Sequence, residues 1–330
     1  MNKKIIVTGA AGFIGSNLLA GLESAGLDSI VCVDDFGTNQ KWKNVSKRYL
    51  VDYIPQENIY SYLNEHNKEI KAIIHLGAIS TTTELDVDLI LSSNYRLTLF
   101  LFKFCQDNSI QFIYASSAAT YGDGSNGFED ISDVQYLHKL HPLNAYGWSK
   151  NLSDLFISRM NGFTGTDSQV VGLKFFNVYG PNEYHKGAQK SVINTFYEQL
   201  ISNHKMNLFK SNETGISDGS QTRDFVYVND CVDVMLWFLA HPNVSGLFNV
   251  GSGVASTFNE IAATVAKTIG IECNINYITM PESIINQYQN HTCAEITKLR
   301  DVGYQKEMTT IDNGIYDYIT NYLTKQDKYK

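Results

Sequence analysis

A strand-like run that ends in a glycine-rich turn constrains this chain more than any other feature. The segment KIIVTG is rich in β-branched residues, and GAAGFIG follows it with glycines at positions 9, 12 and 15. Glycine allows a tight turn and lets an anion approach the main chain without obstruction. A helix that begins there presents unpaired N–H groups to a phosphate. The pattern therefore predicts a strand–turn–helix unit that binds a dinucleotide through Gly9, Gly12 and Gly15.

Short apolar runs alternate with helical patterns along the first half of the chain. After the first strand, apolar runs recur at residues 30–35, 72–78, 111–117 and 169–180. Strands that are apolar along their whole length are typical of a parallel sheet covered by helices on both faces. We expect an α/β fold, a Rossmann-type doubly wound parallel sheet with a smaller C-terminal substrate-binding domain. Residues 1–176 form the first domain, residues 177–330 form most of the second, and the chain returns to the first near residues 224–252.

Composition excludes several classes of protein. Of the 330 residues, 43% are hydrophobic and 18% charged, as in ordinary globular proteins. The net charge of −8 lacks the basic field of a duplex-binding protein, so no nucleic acid partner is expected. No apolar run approaches the roughly 18 residues of a membrane span. We therefore expect no membrane association. The five cysteines form no C-x-x-C pair, so we expect no metal site and a reducing, cytoplasmic location.

Acidic and basic residues follow the second strand, where the adenosine end of a dinucleotide would lie. Asp34 and Asp35 come about 20 residues after Gly15, and a carboxylate there can accept hydrogen bonds from ribose, which favours NAD. Lys41 and Lys43 follow closely and can neutralise a 2′-phosphate, which favours NADP. The residues themselves leave the choice between NAD and NADP open.

Two motifs further along the chain suit hydride transfer. YASS ends the fifth strand with Ser116 and Ser117, and YGWSK supplies Tyr146 and Lys150. Residues four apart share one helix face, so the phenol and the ammonium point the same way. A tyrosine with a pKa of about 10 is a poor base at neutral pH, but a nearby ammonium favours its phenolate. The motifs predict acid–base catalysis of hydride transfer between a secondary alcohol and a nicotinamide.

These motifs resemble the extended short-chain dehydrogenase/reductase family, the group of nucleotide-sugar epimerases and dehydratases. The resemblance rests on VTGAAGFIGSN, STTTE, YASSAATYG, YGWSK, FFNVYGPNEYHKG, RDFVYV and LFNVGSG, and it covers essentially the whole chain. It is greatest to members that invert C6 of a heptose linked to ADP, a precursor of the lipopolysaccharide core. A 4-epimerase is the alternative. Ala118 and Ala119 stand where a dehydratase usually carries an acidic pair, which argues against elimination.

The resemblance also implies a cofactor, an assembly and a set of contacts. The family generally uses NADP, so we expect NADP with NAD tolerated, and a homo-oligomer such as a pentamer. Beyond the glycine turn, the implied cofactor contacts are Phe13, Ile14, Asp34, Asp35, Lys41, Leu76, Gly77, Ala78, Ile79, Ser80, Ser93, Lys150, Val178 and Lys186. The implied substrate contacts are Ser117, Asn177, Ala188, Thr195, Phe209, Lys210, Ser211, Asn212, Arg223 and Tyr288.

Two of these contacts have alternative interpretations, and a third departs from the family pattern. The guanidinium fork of Arg223 suits a diphosphate, but a surface ion pair with Asp224 would also explain it. Tyr288 either reaches the substrate or is an ordinary half-buried aromatic residue. Ala188 stands where the family usually has a substrate-binding serine.

The segment NEYHKGAQK places His185 next to Lys186. Taken alone, Lys186 is a solvated loop lysine or a phosphate ligand. The resemblance gives it a role as a second acid/base, because epimerisation through a ketone needs a proton donor on the side opposite Tyr146. A lysine in that role needs burial or a cationic neighbour to lower its pKa. Lys190, one helical turn later, has no comparable role.

Overall fold

The computed structural model of the protein describes residues 3–165, 167–285 and 288–330, without the side chains of residues 283 and 284. Twelve strands occur in these ranges: β1 Lys4–Thr8, β2 Ile30–Val33, β3 Asp52–Ile54, β4 Ile70–His75, β5 Gln111–Ser117, β6 Val170–Phe175, β7 Asn177–Tyr179, β8 Met206–Phe209, β9 Thr222–Tyr227, β10 Gly246–Val250, β11 Ala255–Thr257 and β12 Ile275–Ile278. Seven of them form one parallel sheet in the order β10-β6-β5-β4-β1-β2-β3.

The helices are α1 Phe13–Ser24, α2 Ile59–His66, α3 Val87–Ile90, α4 Leu97–Asp107, α5 Val134–Lys139, α6 Ala145–Arg159, α7 Val192–Asn203, α8 Val228–Ala240, α9 Phe258–Ile269, α10 Glu282–Ile285, α11 Thr297–Asp301 and α12 Ile311–Tyr318. No helix in the described ranges has the length and apolar character needed to cross a membrane.

Helices cover both faces of the large sheet. On one face α1 and α8 pack through residues such as Leu18, Leu22 and Met235. On the other face α4 and α6 pack through Leu101, Leu155 and their neighbours. Each such side chain, fully buried, stabilises the fold by about 1.5–3 kcal/mol relative to exposure. This arrangement confirms the predicted doubly wound parallel sheet.

Two small sheets lie beyond the carboxyl end of the large one. One has the order β11-β9-β7 and the other pairs β12 with β8. A separate apolar cluster packs α7, α9 and α12 around them and includes Phe225, Tyr227 and Tyr318. The predicted strand and helix near residue 224 are β9 and α8. Strand β9 belongs to a small sheet, whereas α8 and β10 return to the large one.

Candidate active site

The turn between β1 and α1 has the geometry that a pyrophosphate requires. Gly9 has φ of +64°, and a Cβ added there would lie 2.6 Å from the backbone nitrogen of Gly77. A Cβ at Gly15 would lie 2.2 Å from the carbonyl oxygen of Gly9. Helix α1 begins at Phe13 with no acidic residue in its first turn. Its N-terminal N–H groups are therefore available to an anion, and the glycines let the anion approach.

A cleft of about 820 Å³ extends from this turn across the carboxyl ends of the strands. Its volume suits a bound cofactor. Every residue predicted to contact the cofactor borders it: Gly9, Gly12, Phe13, Ile14, Gly15, Asp34, Asp35, Lys41, Leu76, Gly77, Ala78, Ile79, Ser80, Ser93, Lys150, Val178 and Lys186. The residues present therefore fit a dinucleotide. Sequence reasoning missed other residues that border the cleft, among them Phe36, Asn39, Gln189 and the aromatic pair Phe175 and Phe176.

Charged side chains meet at the far end of the cleft, after β2. Asp34 is 6% exposed, and its Oδ2 accepts a hydrogen bond of 2.8 Å from the backbone N–H of Ala11. Its Oδ1 forms an ion pair with Lys41. Gln56 borders the cleft beside Asp35 and donates its backbone N–H to that carboxylate. This end of the cleft therefore offers both a carboxylate and an ammonium to the adenosine half of a cofactor.

Ser117, Tyr146 and Lys150 meet at the opposite end. Ser117 ends β5, and both other residues lie on α6, where the Asn144 side chain caps the helix by accepting a hydrogen bond of 2.8 Å from the Gly147 N–H. Burial raises the pKa of Tyr146, and a hydrogen bond with the Ser117 hydroxyl opposes that rise. The arrangement can pass a proton between a bound hydroxyl and the phenol.

Lys150 is 2% exposed, and its Nζ donates a hydrogen bond of 2.8 Å to the carbonyl oxygen of Ala115. Burial lowers its pKa to about 8, and the charge of Asp154 opposes the change. Ser116 also borders the cleft, but it donates its hydroxyl to Asp154 at 2.7 Å, whereas Ser117 is the serine that hydrogen-bonds Tyr146. Of the two serines in YASS, Ser117 is therefore the one beside Tyr146.

Lys186 borders the same cleft from another element. It lies in a 3₁₀ segment, Tyr184–Gln189, that follows the small-sheet strand β7. Its ammonium lies 5.5 Å from the centre of the Phe13 ring, within the range of a cation–π contact. Burial lowers the pKa of Lys186, and the charge of Glu183 opposes the change. Two groups capable of proton transfer, Tyr146 and Lys186, thus border one cavity.

Comparison with known proteins gives the family. Residues 5–251 match the NAD dependent epimerase/dehydratase family. The chain belongs to this family. It is 44% identical over 326 residues to the ADP-L-glycero-D-manno-heptose-6-epimerase of Nitratidesulfovibrio vulgaris, which covers 98% of this chain and 99% of that protein. The protein of the same name from Fusobacterium nucleatum is 42% identical over 333 residues, with 98% of this chain and 99% of that protein covered.

A solved structure agrees with this membership. The crystal structure of Helicobacter pylori ADP-L-glycero-D-manno-heptose-6-epimerase superposes with a TM-score of 0.80 at 29% identity, covering 97% of this chain and 96% of that one. As a member of the epimerase/dehydratase family, the protein is an enzyme that works with a nicotinamide cofactor, and the cleft described above is where the cofactor fits.

Part of the predicted substrate set forms an aromatic and cationic group in this epimerase-family protein. The Arg223 guanidinium is 7% exposed and lies 4.8 Å from the Tyr288 ring centre, and that ring contacts Phe209 at 6.3 Å. Asp224 does not pair with Arg223, because its carboxylate accepts hydrogen bonds from Ser252, Gly253 and Ala294. The guanidinium therefore keeps donors for a ligand.

A second cavity of about 250 Å³ adjoins this group through Tyr288. It is bordered by Tyr288 on one side and by Ala119, two residues after Ser117, on the other. Sequence reasoning missed its remaining lining, which is mostly polar: Thr82, Thr83, Gly122, Leu143, Asn144 and Gln289. Thr82 and Thr83 belong to the STTTE motif, which was the only feature of the sequence analysis that pointed to this cavity.

Other predicted substrate residues lie outside both cavities in the part of the chain that the structure describes. Ala188 is exposed, and Thr195 donates its hydroxyl to the carbonyl oxygen of Ser191 within α7. Lys210 and Asn212 are exposed, Ser211 binds Asp218 through its backbone, and Asn177 is exposed on β7. Their contacts with substrate stay predictions.

Proposed function

We propose that this protein interconverts ADP-D-glycero-D-manno-heptose and ADP-L-glycero-D-manno-heptose, with the product serving heptose-containing glycans such as the lipopolysaccharide core. The observation that carries the proposal is the presence of two proton-transfer groups, Tyr146 and Lys186, on different elements of one nicotinamide cleft. Relatives with 39–44% identity over nearly the full chain bear the corresponding name. A simple alcohol dehydrogenase needs one such group, whereas inversion of an alcohol carbon needs one for each face.

The chemistry follows from the substrate. The C6 carbon of the heptose has no neighbouring carbonyl, so its proton is not acidic and direct deprotonation is not available. A nicotinamide held in the cleft would supply the redox chemistry at C6, namely acceptance of hydride from one face of the carbon and its return to the other. The protein's side chains must therefore remove the C6 hydroxyl proton and later return it.

We propose that Tyr146 removes the C6 hydroxyl proton from one epimer. The Lys150 ammonium, one turn after Tyr146 on α6, would favour the phenolate by its charge, and the Ser117 hydroxyl, which hydrogen-bonds Tyr146, would share the proton with the reacting oxygen. After the ketone turns its other face to the cofactor, its oxygen points away from Tyr146. Lys186 donates the proton there, and burial, which lowers its pKa, makes its ammonium a better proton donor.

We also propose NADP as the cofactor, with NAD tolerated. Lys41 lies at the adenosine end of the cleft, where an ammonium can pair with a 2′-phosphate. The Asp34 carboxylate that would favour NAD is engaged by Lys41 and by the Ala11 N–H. The nucleotide released from purified protein on denaturation identifies the cofactor, and Lys41→Ala is expected to shift the preference toward NAD.

The substrate side of the proposal concerns residues 177–330, which we propose form most of the sugar-nucleotide domain. The Arg223 guanidinium would bind the diphosphate, Tyr288 and Phe209 would flank the nucleotide, and the second cavity would receive the heptose. A homo-oligomer such as a pentamer is proposed from the resemblance, and light scattering after size exclusion measures it.

The central test uses purified, cofactor-loaded protein and ADP-D-glycero-D-manno-heptose with no added reductant. NMR is expected to show conversion to the C6 epimer until both epimers coexist. Absence of conversion by folded, loaded protein would contradict the proposal. Conversion of UDP-glucose to its C4 epimer under the same conditions would favour a 4-epimerase instead.

A further inference from the structure

A buried carboxylate three residues before Lys186 has no part in the mechanism above. Glu183 has 0% exposure. Its Oε1 accepts hydrogen bonds from the Ser191 hydroxyl at 2.7 Å and from the Tyr318 hydroxyl at 2.9 Å. Its Oε2 accepts the backbone N–H of Ser191. A carboxylate so far from water is costly, and the structure surrounds it with donors.

These hydrogen bonds close the segment that carries Lys186. Glu183 directly precedes the 3₁₀ segment Tyr184–Gln189, and Ser191 follows it two residues later. Ser191 also caps α7, because its hydroxyl accepts a hydrogen bond from the Asn194 N–H. The Lys186 backbone N–H also donates to the Glu183 carbonyl oxygen at 3.0 Å. Because both ends of the segment meet at one carboxylate, the position of Lys186 over the cleft depends on it.

Loop closure does not by itself require a charge. A glutamine amide could accept the Ser191 N–H through its oxygen and donate its own N–H to a hydroxyl oxygen. The charge matters for Lys186, since Glu183 is the charged group that raises the pKa of this lysine against the effect of burial. Reciprocally, Lys186 and the hydrogen bonds oppose the rise that burial produces in the pKa of Glu183.

The other titratable groups around the lysine do not supply this negative charge. Burial, together with the charges of Lys41 and Lys186, lowers the pKa of His185 to about 4, so its ring is neutral at pH 7. Its Nδ1 lies 3.1 Å from the Asn44 side-chain nitrogen. The remaining groups on packed elements are Asp34 with its Lys41 partner at the adenosine end, Tyr146 and Lys150 across the cleft, Tyr184 on the same segment and Tyr318 on α12.

We propose that Glu183 is a positioning residue for Lys186, which closes the loop that carries the lysine and supplies the negative charge that keeps its ammonium available as a proton donor. The proposal rests on the proposed acid/base role of Lys186. It adds Glu183 as a residue that acts on the substrate only through Lys186. With the carboxylate replaced by an amide, the lysine would lose its proton at lower pH and would serve poorly as a donor.

The direct test measures the titration of Lys186 in the cofactor-loaded protein. Reductive ¹³C-methylation labels lysines, and loss of one signal in Lys186→Arg identifies the resonance. In Glu183→Gln the midpoint of that resonance is expected to move down by about one pH unit or more, as loss of a nearby opposite charge requires. Ser191→Ala, the matched control, removes a hydrogen bond to Glu183 but no charge and should leave the midpoint in place. An unmoved midpoint in folded Glu183→Gln overturns the proposal.

A second measurement needs no change at Glu183. Protonation of Glu183 in acid should give the Lys186 resonance a second inflection in the unmutated protein. In Tyr318→Phe the carboxylate loses a donor, so that inflection should move to higher pH. Absence of the inflection, or an inflection that Tyr318→Phe leaves in place, overturns the coupling even if Glu183→Gln fails to fold.

Turnover gives a third readout. The high-pH limb of kcat should move to lower pH in Glu183→Gln and stay in place in Ser191→Ala. Equal losses at every pH in both variants would indicate a purely structural role and overturn the proposal. Full epimerase activity in Lys186→Met would contradict the proposed acid/base role of Lys186. The NMR titration of protein that keeps Lys186 would still report its coupling to Glu183, so failure of the proposed function and failure of this inference are distinguishable.

Discussion

The two sides of the cleft are built in different ways. Tyr146 lies on the long helix α6, with Lys150 one turn later and Ser117 at the end of a central strand. Lys186 lies on a short 3₁₀ segment outside the large sheet. Regular hydrogen bonding fixes the first group, whereas side chains from distant parts of the chain fix the second.

The contacts of the Lys186 segment show how far apart its supports are in sequence. The Asn44 side chain donates to the carbonyl oxygens of Ala11 at 2.9 Å and Asn182 at 3.1 Å, which joins the cofactor turn to the segment. At the other end of the chain, the Lys328 carbonyl accepts the Tyr184 hydroxyl at 2.8 Å. The comparison teaches that one side of the cleft is a product of local helix geometry and the other of tertiary packing.

The largest expected effect comes from the helical side. Tyr146→Phe removes the phenolic proton acceptor and keeps the ring, so turnover should fall by about 10²–10⁴-fold with the fold retained. NMR of heptose conversion and a thermal melt measure the two quantities. Tyr136→Phe on α5, outside the described cavities, is the control and should retain turnover. Near-normal conversion by Tyr146→Phe would remove this residue from its role.

On the loop side, Lys186→Met should slow epimerisation strongly but leave the oxidation of one epimer, in which hydride goes to the nicotinamide and Tyr146 takes the hydroxyl proton. We expect a loss of about 10²-fold or more in epimer formation, as for loss of a general acid. Absorbance of reduced nicotinamide, followed in a single turnover, should show that the first half-reaction persists with one epimer only. Lys190→Met is the control, since Lys190 pairs with Glu198 in the same region. Equal loss with both epimers would mean that Lys186 serves binding rather than one proton transfer.

The pH dependence sharpens the helical side of the comparison. Burial holds the pKa of Lys150 at about 8, below its usual value of 10.5. As pH rises through about 8, the ammonium that we propose supports the Tyr146 phenolate is lost, so the rate of the oxidation half-reaction in a single turnover should fall above that pH. Stability changes in the opposite direction. Between pH values of about 8 and 10.5, Lys150 binds a proton in the unfolded chain but not in the folded protein, so unfolding becomes less favourable as pH rises. In Lys150→Met this stability increment should vanish from pH-dependent melts.

A smaller effect is expected where the two sides join. Asn44→Ala removes the bridge from the cofactor turn to the Lys186 segment and leaves buried carbonyl oxygens unpaired, which costs about 1–3 kcal/mol of unfolding free energy. Epimer formation should fall by roughly tenfold, while the oxidation half-reaction changes less. Urea unfolding and single-turnover absorbance measure the two. Asn67→Ala, which breaks a hydrogen bond to Asn108 elsewhere, is the control. A loss confined to cofactor affinity would contradict the bridging role.

The same contrast explains what could be predicted from the sequence. The glycine turn and the Tyr146–Lys150 pair follow spacing rules, so their elements were predictable, and the structure confirms the sheet and helices that carry them. Asn44 and Glu183 obey no spacing rule, since their partners lie 138 and 135 residues away. Glu183 lies in the polar stretch NEYHKGAQK, so its sequence context gave no sign that it is buried. The resemblance supplied Lys186, which local patterns left as a loop lysine.

The smallest expected effect tests the edge of the Lys186 segment. Ala188→Ser restores the residue that the family usually has, yet position 188 is exposed and borders neither cavity. Turnover and KM should therefore stay within about twofold, as surface substitutions usually do. Lys186→Met, two positions away, is the contrast that shows the assay responds to this segment. A clear fall in KM for the ADP-heptose would mean that substrate draws position 188 into the site, and the segment would then close on its ligand rather than stand preformed.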